Sequence, residues 1–83
     1  MPFNRDAYYT LRNRAKMCAH RNTHKVISQD IGDVNVQFTS YEDGGISWTV
    51  HFIASGLRFD NYGTDGTEGC TRLLEQAGLI WYM

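Results

Sequence analysis

Cys18, His20 and His24 form the densest group of metal-ligating side chains in this sequence. On a helix His20 and His24, four residues apart, share a face. Cys18 and His20 diverge by about 200° and cannot hold one ion without unwinding. No Cys-x-x-Cys pair occurs, so the histidines read as polar groups at a helix end and no metal is expected. Nucleophilic catalysis would need Cys18 or Cys70 beside a base such as His51. Both cysteines fall on apolar helical stripes, where a thiol acts as a small, unactivated hydrophobe. The stretch 63–69, Gly-Thr-Asp-Gly-Thr-Glu-Gly, has the glycines of a phosphate-cradling turn. However, Asp65 and Glu68 would repel a phosphate, and no lysine follows. Asp60, Asp65 and Glu68 offer oxygens to calcium, but without the alternating spacing of a helix-loop-helix site. The expectation is a protein with no catalytic residues and no cofactor.

Charge gives a stronger pattern. Residues 1–26 carry six cations against Asp6, a net +5, while residues 27–83 carry two cations against eight acids, a net −6. The overall −1 hides this dipole, and such a split points either to a charged partner or to a fold that pairs its own halves. Two candidate partner-binding surfaces follow. The basic one is Arg5, Tyr9, Arg12 and Lys16, which share a face of the first helix. The acidic alternative is Asp30, Asp33, Glu42, Asp43, Asp60, Asp65 and Glu68, set mainly at turns and loop mouths.

The elements that position these residues follow from periodicity. Residues 4–21 are expected to form a helix, with Asn4 as N-cap and Asp6 in the first turn, where the dipole favours an anion. Tyr8, Leu11, Ala15 and Cys18 make its apolar stripe, flanked by Ala7 and Ala19. Asn22, Thr23 and His24 should end it. Residues 25–31 can form a short strand. In 33–41, Val34, Val36 and Phe38 alternate with Asn35, Gln37 and Thr39, a half-buried strand. Glu42-Asp43-Gly44-Gly45 is a turn into 46–53, where Ile46, Trp48, Val50 and Phe52 alternate with Ser47, Thr49 and His51. A turn at 54–56 leads to a further strand over 57–62. Thr64 or Thr67 can cap a second helix with Cys70, Leu73, Leu74 and Ala77 on its apolar side and Gly78 at its end. The closing Leu79-Ile80-Trp81-Tyr82-Met83 alternates like a last strand, with a docking patch as the other use of these aromatics.

The whole of 1–83 is thus one small α+β domain. It has an N-terminal helix, a three- or four-stranded antiparallel sheet and a C-terminal helix, stacked as a two-layer sandwich. No apolar run approaches the roughly 20 residues of a membrane span, and the opening residues lack the apolar stretch of a signal peptide. A soluble, cytoplasmic protein with no membrane partner is expected.

The order helix, meander, helix resembles the double-stranded-RNA-binding domain across the whole chain. Gly66-Thr67-Glu68-Gly69-Cys70-Thr71-Arg72-Leu73-Leu74 has glycines similar to the opening of that family's second helix. It lacks the phosphate-clasping lysines, and Glu68 has the opposite charge, so no residue role carries over. In size, simple fold, absence of motifs and charge partition, the chain is similar to the small inhibitors that phages encode, including anti-CRISPR proteins. That resemblance implies a non-enzymatic viral protein of the host cytoplasm. It would bind a protein or protein–nucleic-acid complex and block a host nucleic-acid-processing machine, with either charged surface as its contact. Direct nucleic-acid binding through the first helix, and a small structural or oligomer-forming subunit, are the alternatives.

Overall fold

Asn4 opens the first helix, α1 (Arg5–His20), by accepting a hydrogen bond on Oδ1 from the Ala7 N–H at 3.1 Å. This satisfies one of the N–H groups that a helix start leaves without a partner. The computed structural model describes residues 2–61 and 66–80. Tyr8, Leu11, Ala15 and Ala19 are the buried side of α1. Cys18, expected on that stripe, is only half-buried. At 100° per residue Ala19 lies about 20° from Tyr8 and Cys18 about 80° away, so the stripe drifts onto the alanine. The helix ends at Asn22, which takes φ +56°. The Asn22 N–H donates to Ala19 C=O and the Thr23 N–H to Cys18 C=O, both at 2.9 Å, a Schellman stop with asparagine in the left-handed position. Asn22 Nδ2 also donates to the Glu42 carbonyl at 2.9 Å, tying the helix end to a sheet turn.

Four strands follow as an antiparallel meander: β1 (Lys25–Ile31), β2 (Val34–Ser40), β3 (Ile46–Phe52) and β4 (Leu57–Asp60), in that spatial order. Val36 lies opposite Val50, Phe38 opposite Trp48 and Ser40 opposite Ile46. The period-2 pattern therefore turns one row inward and leaves Asn35, Gln37, Thr39, Ser47, Thr49 and His51 on the other face. The fourth strand, expected over 57–62, ends at Asp60, and Tyr62 lies outside the described residues.

The second helix, α2 (Glu68–Gln76), starts at Thr67, but the Thr67 side chain makes no capping hydrogen bond. Thr64, the other expected cap, is outside the described residues. Cys70 and Leu74 are buried, Leu73 is half-buried and Ala77 is exposed. The helix closes on a full Schellman motif. Gly78 at φ +77° donates to Glu75 C=O and Leu79 donates to Leu74 C=O, both at 3.0 Å. Leu79 and Ile80 belong to no strand, so the expected last strand does not begin there; Ile80 is instead buried in the core. Positions 81–83 lie outside the described residues.

Both helices pack against the inner face of the sheet. The Tyr8 ring meets Phe38 at 6.1 Å between centroids, and Gly69 lies so close that a Cβ there would sit 3.2 Å from the Trp48 ring. The core joins Tyr8, Leu11, Val36, Phe38, Val50, Cys70 and Leu74. This is the α+β two-layer sandwich that the periodicity implies. Among the described residues no helix is long and apolar enough to cross a membrane.

Candidate functional site

The seam between α1 and α2 is held by one polar node inside the apolar layer. Tyr8, fully buried, brings its hydroxyl within 2.7 Å of Thr71 Oγ1. Thr71 Oγ1 also donates to the Thr67 carbonyl at 3.3 Å, and the Tyr8 hydroxyl meets the Cys70 thiol as well. Arg12 Nη1 donates to the same threonine oxygen at 3.4 Å. The Arg12 guanidinium lies over the Tyr9 ring, 4.6 Å from its centroid, a cation–π contact worth about 0.5–1 kcal/mol where exposed. Burial, with the neighbouring Cys70, pushes the Tyr8 phenol far above its usual range. Thus half-buried Thr71, itself bonded to interior Tyr8, and the Tyr9 ring hold one cation of the basic strip in place. Arg12 Nε is buried with no hydrogen-bond partner among the described residues.

Above this node the two helices frame an open cleft of about 390 Å³ lined by Arg12, Lys16, Thr71 and Arg72 and by Glu68 and Glu75. Arg5 and Lys16 are exposed, whereas Arg12 and Tyr9 are half-buried. Among the described residues the only ion pair within 4.0 Å joins Arg58 to Asp60. The cations of α1 are therefore not neutralised by close contact with the acids of the sheet. Arg5, Tyr9, Arg12 and Lys16 all lie on α1, and Arg12 and Lys16 border two carboxylates on α2 that are distant from them in sequence.

The acidic residues do not gather on one surface. Asp30 is on β1, where it accepts from Asn35 Nδ2 at 2.8 Å, and Asp33 is exposed in the next turn. Glu42 and Asp43 sit in the turn beyond the opposite end of β2, about 20 Å away by strand rise. Asp43 Oδ1 is engaged by the Gly45 N–H at 2.8 Å. Asp60 ends β4, Glu68 begins α2 and Asp65 is outside the described residues. The Thr49 hydroxyl donates to Asp60 Oδ1 at 2.7 Å and, with Arg58 at 3.3 Å, holds that carboxyl below its ordinary value.

The catalytic and metal candidates are dispersed. Cys70 is fully buried on the inner side, and burial pushes its thiol up to about 12. His51 is on the outer face, opposite Asn35 and Arg58, so thiol and imidazole lie on opposite faces of the sheet. His20 is the last residue of α1, and His24, beyond the helix end, stacks on Tyr41 at 5.5 Å, so the two imidazoles share no helical face. Both cysteines are free thiols. Among the described residues no three His, Cys, Asp or Glu side chains gather as a metal site.

One feature escaped the linear reading. Leu57 and Phe59 on β4 face Leu73 and Ala77 on α2 across an apolar groove of about 340 Å³ that also includes Phe52. The alternation of Leu57 and Phe59 was the available signal. What it could not convey is that α2 leaves these side chains uncovered.

No family model matches the chain, and no curated protein or solved structure matches it. The side chains of this one chain are thus the whole basis for a functional reading.

Proposed function

We propose that this protein is a non-enzymatic protein-binding module whose contact surface is the basic strip of α1 together with the α1–α2 cleft. It acts as a small stoichiometric inhibitor, of the kind phages encode, on a host nucleic-acid-processing complex. The observation that carries the choice of a protein partner is the mixed lining of the cleft: Arg12 and Lys16 of α1 and Glu68, Arg72 and Glu75 of α2 border one opening. A phosphate backbone presents one sign of charge and would meet those two carboxylates unfavourably. A protein surface can present both signs. The hold of Tyr9 and Thr71 on Arg12 limits the side-chain entropy lost on binding.

A second reading, direct nucleic-acid binding through α1, draws on the strip cations that lack a close acidic partner among the described residues. The two readings differ in salt response, because phosphate contacts release counterions and weaken steeply with salt. Labelled single-stranded and duplex DNA and duplex RNA are titrated at low salt, and the protein is used as bait in extract of its host. The protein-binding reading expects no nucleic-acid shift, together with a captured protein that Lys16→Glu fails to retain. A salt-steep nucleic-acid shift abolished by Lys16→Glu would replace it with the second reading.

A further inference from the structure

We propose that the free edge of β4 pairs with the same edge of a second copy, giving a two-fold dimer with one continuous eight-stranded sheet. β4 is the last strand of the sheet order. The Asn61 N–H donates to the Trp48 carbonyl at 2.9 Å. Antiparallel alternation then turns the backbone groups of Leu57 and Phe59 toward β3 and those of Arg58 and Asp60 outward. An outward row of N–H and C=O groups is a template for another strand.

Self-pairing of this row has few possible registers, because residues placed opposite each other must point to the same face. With the axis at Arg58, two arginines would oppose each other, an arrangement that costs stability. With the axis at Phe59, Arg58 of each copy lies opposite Asp60 of the other, and the two phenylalanines meet on the inner side. The outward N–H and C=O groups of Arg58 and Asp60 then exchange four hydrogen bonds across the axis. Charge complementarity thus selects a second copy as the occupant and Phe59 as the centre. The Arg58 side chain is 64% exposed and that of Asp60 25%, and Leu57 and Phe59 beside them are 57% and 40% exposed.

Strand pairing alone falls short of the roughly 1,200–2,000 Å² that a standard interface buries. The apolar groove beside β4 adds area, since the two-fold axis merges both grooves into a single trough lined twice by Leu57, Phe59, Leu73 and Ala77. The α1–α2 clefts stay open, one per copy, so the dimer presents the proposed contact surface twice and gains avidity for a repetitive partner.

Sedimentation equilibrium of the full chain tests this directly. The wild type is expected at twice its 9.5 kDa mass. Arg58→Asp and Phe59→Glu, which place like charges opposite each other in the dimer, should each weaken self-association by at least about tenfold. A mixture of the Arg58→Asp and Asp60→Arg chains should recover a heterodimer that neither forms alone. If Asp60→Arg does not fold, Arg58→Asp and Phe59→Glu decide the matter. A wild type that stays monomeric to its solubility limit, or a dimer indifferent to Arg58→Asp, overturns the proposal.

Discussion

The seam between the helices depends on the Tyr8 hydroxyl, and its contribution can be isolated. In Tyr8→Phe the ring keeps its packing against Phe3, Tyr9 and Phe38, while the 2.7 Å bond to Thr71 and the weaker contact with the Cys70 thiol are lost. Thr71 still donates to Thr67 and still accepts from Arg12, so no buried group is orphaned. The expected cost is the net value of one hydrogen bond, about 1 kcal/mol, or a fall of about 4–8 °C in thermal midpoint for a domain of this size. Thr71→Val takes from the interior phenol its 2.7 Å bond, leaving Cys70 as its remaining partner, and should cost about 1–3 kcal/mol. The double variant removes both groups together, so its loss should fall at least about 1 kcal/mol short of the sum of the single losses, because the orphan penalty disappears. Urea unfolding followed by circular dichroism measures all four corners of this cycle. Additivity within about 0.3–0.5 kcal/mol would mean the two groups are energetically independent and would refute the node as the clamp between α1 and α2.

Other consequences can be checked with simple assays. At neutral pH a thiol reagent should modify half-buried Cys18 well before Cys70, which should react only at the rate of unfolding; equal rates would contradict the burial assigned to Cys70. The raised folded-state value of that thiol means the unfolded chain loses its proton first, so stability should fall as pH rises above the ordinary value of 9.0. The lowered value of Asp60 acts in the opposite sense. Its contribution is present above 3.8 and lost as pH falls through the lower folded-state value, so Asp60→Asn should flatten acid unfolding in that range, and an unchanged acid profile would count against it. Gly78→Ala meets nothing within 4 Å and should still cost about 1–2 kcal/mol from the left-handed backbone alone. Gly78→Asn should cost less, and a neutral alanine variant would refute the Schellman stop.

Much of the architecture was legible because its elements carry uninterrupted periods. The alternation of Val34, Val36 and Phe38 and of Ile46, Trp48, Val50 and Phe52 fixes the central hairpin with its inner and outer faces. Asn4 and Gly78 mark a helix start and a helix end by well-defined local chemistry. Errors arose where one residue of drift or one tertiary contact decides the outcome. Cys18 yields its inner place to Ala19, and Thr67 caps by position without a side-chain bond. The basic strip was visible on a helical wheel. Its acidic far edge was not, because Glu68 and Glu75 are more than fifty residues from Arg12 in sequence and come beside it only once both helices pack on the sheet. The acidic set failed as a surface for the converse reason. Turns at both ends of one sheet look equivalent in sequence and lie far apart in space.

The most direct test of the account compares two charge reversals of equal size on α1 and its C-cap. Arg5→Glu/Lys16→Glu alters the strip beside the cleft, and Arg14→Glu/Arg21→Glu alters exposed cations off that strip. Both change net charge by the same amount. Calorimetric titration against the captured partner should show the first variant weakened by at least about tenfold and the second close to wild type, with both still folded by circular dichroism. Equal weakening by the two variants, or none by the first, would contradict the assignment of the α1–α2 cleft and its basic strip as the binding surface.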